Sequence, residues 1–271
     1  MKAHFALLAL GFAGLSTPAL AQASGEPASE PSPICTDRPT KATSVCTVPA
    51  GSFQLETDLP NWTRLDSGGT RTDVTLYANP TLKYGLGPNT DIQFNIAPYV
   101  DVRTRSGGSV DHVRGVGDLF IRLKQRLSDP ASKVQFGLVP YVKVPVAKRG
   151  IGNREWEGGV VAPVQFSLPQ SFTLTLAPEL DVLADGDGSG KHVQLVGAVN
   201  VGKSLSSKVT AYAELWTAQN YDPAGTVRQY SADVAVAYLA APTLQFDVGG
   251  NFGLNSATPD VQLYFGVSTR F

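Results

Sequence analysis

The residues most able to act on a solute are ionisable side chains that recur at every second position. Arg122, Lys124 and Arg126 form one such row, and Lys133 and Lys143 continue its sign further along the chain. Asp73, Asp91, Asp101, Glu179, Asp181, Asp233, Asp247 and Asp260 occupy the polar parity of other alternating stretches. Side chains of a β-strand switch face at each residue, so these rows would become stripes on one side of a sheet. Basic and acidic stripes facing each other across a narrow aqueous bore would concentrate the field on a passing solute. The same charges could instead pair with one another and close the bore, and the sequence leaves both outcomes open. Tyr77, Tyr99, Tyr141, Tyr212, Trp216 and Tyr264 share the polar parity, which suits a lined lumen better than a solvated surface.

Other chemistries find less support. A lipid hydrolase would need a serine activated by a base. His192 lies on the polar parity with Gln194, His112 lies near Ser106 and Ser109, and no Gly-x-Ser-x-Gly elbow is present. Asp185-Gly186-Asp187-Gly188-Ser189-Gly190 begins like a calcium loop, but Val196 stands where the closing glutamate belongs. Gly115-Val116-Gly117-Asp118 lacks the third glycine of a dinucleotide fingerprint and precedes a strand. Neither metal nor cofactor is expected. A net charge of −1 and a pI near 6.3 argue against a nucleic-acid surface.

The elements that must hold these stripes are strands. From Gly51 onward the chain alternates with no helical period of useful length. Ile92, Phe94, Ile96, Pro98, Val100 and Val102 oppose Asp91, Gln93, Asn95, Tyr99 and Asp101. Similarly, Val74 and Leu76 oppose Asp73, Thr75 and Tyr77. About twelve such strands are expected, the even number typical of bacterial single-chain barrels. Short connections (Gly85–Asn89, Ser128–Ala131, Pro169–Gln170, Ser206–Ser207, Ala240–Pro242) alternate with longer ones (Asp66–Thr70, Arg103–Arg114, Ala147–Glu155, Ala184–Lys191, Gln219–Arg228). An up-and-down antiparallel transmembrane β-barrel over residues 51–271 is therefore expected, its apolar parity on lipid and its polar parity on the lumen. Pro80, Pro98, Pro140, Pro163 and Pro178 interrupt these strands, where each removes a ladder donor, and bulges are the expected remedy.

Lys2, the apolar run Phe5–Leu15 and Ala19-Leu20-Ala21 read as a cleaved secretory signal over residues 1–21. Residues 22–50 read as a flexible leader followed by a segment bridged between Cys35 and Cys46, in an export compartment where disulfides persist. Arg38, at the centre of that segment, is a candidate gate if the segment tucks into the mouth of the barrel. Its alternative is a plain tether beside the first strand. The last thirteen residues alternate and end on Phe271, as final strands of outer-membrane barrels do, which makes outer-membrane lipid and the barrel-assembly machinery the expected partners.

Thr36-Asp37-Arg38-Pro39-Thr40-Lys41, Cys46 to Glu56, Gly115-Val116-Gly117-Asp118, Asp247 to Leu254 and the terminal Phe271 together resemble the outer-membrane transporter-like family related to meta-pathway phenol degradation proteins. The resemblance implies a barrel that passes small solutes, aromatic compounds among them, across the outer membrane. It assigns no binding residues.

Overall fold

Alternation from Phe53 onward folds as the pattern demands, and the computed structural model describes residues 32–271. The expected signal, residues 1–21, and the first part of the expected leader lie outside the described residues. Sixteen strand segments make a single antiparallel sheet: β1 (Phe53–Ser67), β2 (Thr70–Ala78), β3 (Thr81–Gly87), β4 (Thr90–Ile96), β5 (Tyr99–Ser106), β6 (Ser109–Gly115), β7 (Leu119–Arg126) and β8 (Val134–Val144), then β9 (Glu157–Val161), β10 (Val164–Leu168), β11 (Phe172–Ala184), β12 (Lys191–Ser204), β13 (Val209–Asn220), β14 (Val227–Ala241), β15 (Leu244–Gly253) and β16 (Val261–Arg270). β2 and β3 continue one another across a break, as do β4 and β5, β6 and β7, and β9 and β10, which leaves twelve spans. β16 pairs with β1 and closes the barrel, so no edge remains to be satisfied there. Phe53 and Phe271 exchange both backbone hydrogen bonds at the seam, each 2.9 Å.

The prolines explain where spans break. Pro80, Pro98 and Pro163 sit in the gaps between β2 and β3, β4 and β5, and β9 and β10. Pro178 stays inside β11, opposite the Ala162–Pro163 gap, so that one interruption absorbs both missing donors. Pro140 stays inside β8, where the ladder to β7 skips from Tyr141 to Leu138.

Over the half of the barrel near the short turns, the two faces are as expected. Phe94, Leu123, Leu180, Val199, Leu215, Val234, Val248 and Phe265 are exposed on the outside, while Gln54, Glu56, Asp58, Lys83, Asp91, Lys124, Glu214 and Asp247 are buried inside. This inverts a soluble protein and suits a wall between lipid and an aqueous bore.

The other half departs from expectation in the first four spans. Two residues, in place of one, separate successive inward positions at one level: Leu59-Pro60 between Asp58 and Asn61, and Tyr77-Ala78 between Leu76 and Asn79. Pro98-Tyr99 and Val116-Gly117 lie at the same level of the next two spans, and Val100 pairs with Gly115. The faces exchange above this line. Asn61 binds the lumen side chain Gln262 at 2.9 Å and pairs with Leu76, so Leu76, Val74, Val100 and Val102 turn inward. Asp73, Tyr77, Tyr99 and Asp101, expected in the lumen, turn outward. Alternation alone cannot register this exchange, because a two-residue bulge moves every later side chain to the opposite face.

The stretch 103–114, expected as a loop, is instead the hairpin β5–β6, turning on Gly107 and Gly108, both at positive φ. The segment after β8 folds into the lumen over the inward apolar patch. Ala147 donates its N–H to Asp118 at 2.9 Å, and Gly150 lies against Val113.

Candidate functional site

The site is the bore at the level of the Cys35–Cys46 loop. These cysteines form the expected disulfide, with their Cα atoms 6.3 Å apart. The segment does not lie beside the first strand as a tether. It runs through the barrel and engages the wall on every side.

Arg38 anchors it to β1 and β15. Its guanidinium forms an ion pair with Asp58 and binds Asp247 through Nη2 at 2.6 Å and Nε at 3.1 Å. Asp58 and Asp247 both pair in register with Gly266 of β16, so the arginine lies over a glycine with a carboxylate on either side. A Cβ at Gly266 would overlap the guanidinium, and only glycine permits this seat. The Tyr264 hydroxyl donates to the Pro39 carbonyl at 2.7 Å.

Asp37 anchors the loop to the neighbouring wall. Its carboxylate meets Lys83 of β3 and Lys124 of β7, each at 2.5 Å, and Lys83 also pairs with Glu56. Burial opposes ionisation of Asp37, but Lys124 and Lys83 outweigh it and hold the carboxyl well below its ordinary range. Lys41 crosses to β13 and β14, reaching Ser231 at 2.7 Å and Asp233 at 3.1 Å over the Trp216 ring. Glu214 accepts the backbone N–H groups of Lys41 and Ala42, both at 2.9 Å. Ala42 packs among Val139, Val161, Ala177 and Ala198 on the far wall. Asp91 takes the Val48 N–H at 2.9 Å as the chain leaves for β1.

Two cavities flank the loop. One, of about 270 Å³, opens toward the short-turn rim past Thr173, Thr175, Asn200 and Tyr212. The other, of about 230 Å³, lies on the opposite side among Thr43, Asn79, Gln93, Asn95 and Arg122. Arg122 has no carboxylate within ion-pair distance among the described residues. It lies against the rings of Phe120 and Tyr141, at 5.1 and 5.9 Å. Apart from the loop's own charges and their partners, the bore is thus lined by amides and hydroxyls, with Lys208 at the short-turn rim on one side and Arg122, unpaired among the described residues, on the other.

The expected site residues divide accordingly. Lys124, Asp91, Asp233, Asp247 and Arg38 meet at the loop. Arg122, Tyr141 and Glu179 line the lumen beyond it, with the Tyr141 hydroxyl donating to Asp181 at 2.6 Å. Lys143 is held by Glu157 at 2.7 Å and Asn153 at 2.6 Å. Arg126 binds the Pro88 carbonyl and the Asn89 side chain at the short-turn rim, and Lys133 is exposed beside a turn, so neither lines the bore. Asp73, Asp101, Tyr77 and Tyr99 are on the outer surface, for the reason given above. His192 meets Asp185 at 2.9 Å, with no serine in that bond.

Sequence reasoning passed over Asp37, Lys41, Glu56, Asp58, Lys83 and Glu214. Their signal was present as the alternating charges Asp37-Arg38 and Lys41 in a segment otherwise poor in them, ahead of strands rich in buried-parity charge.

With that geometry in hand, the comparisons with known proteins decide the family. A family model described as "Putative MetA-pathway of phenol degradation" matches residues 36–271. The chain belongs to that family. The match begins at Thr36 and so takes in the loop as well as the barrel. Among solved structures, an outer membrane channel from Pseudomonas putida F1 is similar, with a TM-score of 0.68 at 14% identity, over 84% of this chain and 98% of that one. The translocator domain of the autotransporter NalP from Neisseria meningitidis reaches a TM-score of 0.53 at 14% identity, covering 84% and 91%. The NanC porin reaches 0.53 at 8% identity, covering 79% and 98%. At these identities the likeness is one of fold. No curated protein sequence matches the chain.

Proposed function

We propose that this protein is an outer-membrane channel that passes small solutes, aromatic compounds among them, by diffusion through its charged lumen, with the Cys35–Cys46 loop as the gate. Export through a cleaved signal and recognition of the terminal Phe271 by the barrel-assembly machinery belong to the same reading. The carrying observation is the inverted wall around a bore divided by one tethered loop, with polar cavities on both sides. A purely structural barrel has no use for an unmatched Arg122 beside uncharged amides. The fold of the Pseudomonas putida channel and the NanC porin supports the same reading.

Liposome swelling with a panel of aromatic acids, sugars and amino acids tests it. Swelling with small solutes is expected, slow with the loop seated and fast with it deleted, and faster for benzoate-sized anions than for sugars because Arg122 attracts the carboxylate. Absence of swelling for every solute, with the loop intact and with it deleted, would leave a structural barrel. Ester hydrolysis abolished by His192→Ala would instead establish an enzyme.

A further inference from the structure

The exchange of faces in the first four spans places a cluster of charged and aromatic side chains on the outside of the barrel. From Thr90 to the bulge at Pro98 is about eight residues; at about 3.3 Å each and a tilt of about 40°, the bulge stands about 20 Å above the short-turn rim. The apolar belt of such barrels is about 25 Å tall, so this line falls near the far lipid interface. The side chains are ordered as that interface requires. Tyr77 and Tyr99 lie at the bulge, 54% and 44% exposed, with ring centroids 5.3 Å apart. Trp62 stands beside them, and arginines lie beyond, in the zone of lipid headgroups.

The arginines form a cradle. Asp73 pairs with Arg64 at 2.9 Å and Arg105 at 2.5 Å, and Arg64 also covers Trp62. Asp101 pairs with Arg114 at 2.8 Å and His112 at 3.0 Å. Each carboxylate therefore already has two partners. Arg103 stands between these groups with no ion pair among the described residues, and its buried Nε has no hydrogen-bond partner. It faces an outward cavity of about 270 Å³ that Trp62, Thr75 and Tyr77 complete. An unpartnered buried guanidinium donor is costly unless an acceptor arrives. A ligand that fills this cradle must be anionic, must offer at least two oxygens to a planar fork, and must reach it from the lipid side.

We propose that the outer surface around Arg103 binds a phosphorylated glycolipid of the outer leaflet, its phosphate on Arg103 and Arg105 and its acyl chains below Tyr77 and Tyr99. The site is separate from the lumen, and its occupancy does not depend on transport.

The test is binding of diphosphoryl lipid A to the intact protein in nanodiscs of otherwise zwitterionic lipid, followed by native mass spectrometry. Retention is expected to fall about tenfold in Arg103→Gln, which corresponds to ~1.4 kcal/mol. Arg103→Lys, which keeps the charge but not the planar fork, should fall between wild type and Arg103→Gln. Thr75→Glu, which places a negative charge in the cradle, should give the same loss as Arg103→Gln without touching an arginine. Heat-modifiable gel mobility identifies the folded barrel for each variant, and only folded protein is compared. Lipid A lacking phosphate should bind the wild type no better than Arg103→Gln binds the diphosphoryl form. Equal retention by wild type and by both the Arg103→Gln and Thr75→Glu variants would overturn the proposal. So would displacement of the lipid by inorganic phosphate at matching concentration, since that would mark a general anion site.

Discussion

Replacing Arg38 by glutamine tests the loop at its strongest anchor. The guanidinium neutralises two carboxylates on strands either side of β16, and Asp58 and Asp247 are buried. Glutamine keeps much of the length but leaves both acids unmatched and mutually repelling. Removing one member of a buried ion pair costs about 3–5 kcal/mol. Water in the flanking cavities and rearrangement of the Asn61 and Asn79 amides near Asp58 would reduce that to about 2–3 kcal/mol. At 1.4 kcal/mol per decade, the seated loop should lose about 30- to 150-fold in population relative to the displaced state. On the proposed gating, the open state would then appear measurably often. In planar bilayers, single-channel recordings of Arg38→Gln should show an open level that the wild type visits rarely, with the open fraction raised by at least tenfold. An Arg38→Gln trace indistinguishable from wild type would refute the reasoning, because two uncompensated buried carboxylates cannot leave the seat unaffected.

Further outcomes follow from the same anchors. Gly266→Val should mimic Arg38→Gln without altering any charge, since its side chain occupies the space of the guanidinium; planar-bilayer recording checks this, and an unaltered open fraction would count against the seat. Asp37→Asn should raise the open fraction at neutral pH. Because Lys124 and Lys83 depress the folded carboxyl below its ordinary 3.8, the anchoring is present above that value and fades only as pH falls through and below it. The difference between wild type and Asp37→Asn, measured from pH 8 down to pH 3, should therefore be constant to about pH 4 and shrink beneath it. Arg122→Ala should shift reversal potentials in a salt gradient toward cation preference by removing the unmatched lumen cation, with little change in thermal stability because the side chain carries no ion pair.

The barrel was legible because its signals are local and repeated. Alternation over Ile92–Ile96 or Val261–Val267 needs no tertiary knowledge, and the rhythm of short and long connections gives the meander. The seat of the loop was not legible in the same way. Arg38 and Asp247 are 209 residues apart, and nothing local to either states that β1, β15 and β16 bring Asp58, Gly266 and Asp247 into one row. Asp73, Tyr77, Tyr99 and Asp101 were misplaced for a different reason. A regular alternation carries no absolute direction, and a bulge at Pro60, at Tyr77-Ala78 or at Pro98 reverses it while leaving the pattern intact. Pro80, Pro98, Pro140, Pro163 and Pro178 were visible in the sequence as a difficulty, and Pro60 was not among them. Three of them turn out to mark the breaks between segments, while the reversal they accompany appears only in the pairing of Asn61 with Leu76 and of Val100 with Gly115.

The claim on which the rest depends is that the segment carrying the disulfide closes an otherwise continuous bore. Its most direct measure is the conductance of protein lacking residues 22–47, recorded beside the full mature chain under the same salt and voltage. A stable conductance several-fold above that of the mature chain is expected. Equal conductance in the two proteins would contradict the account.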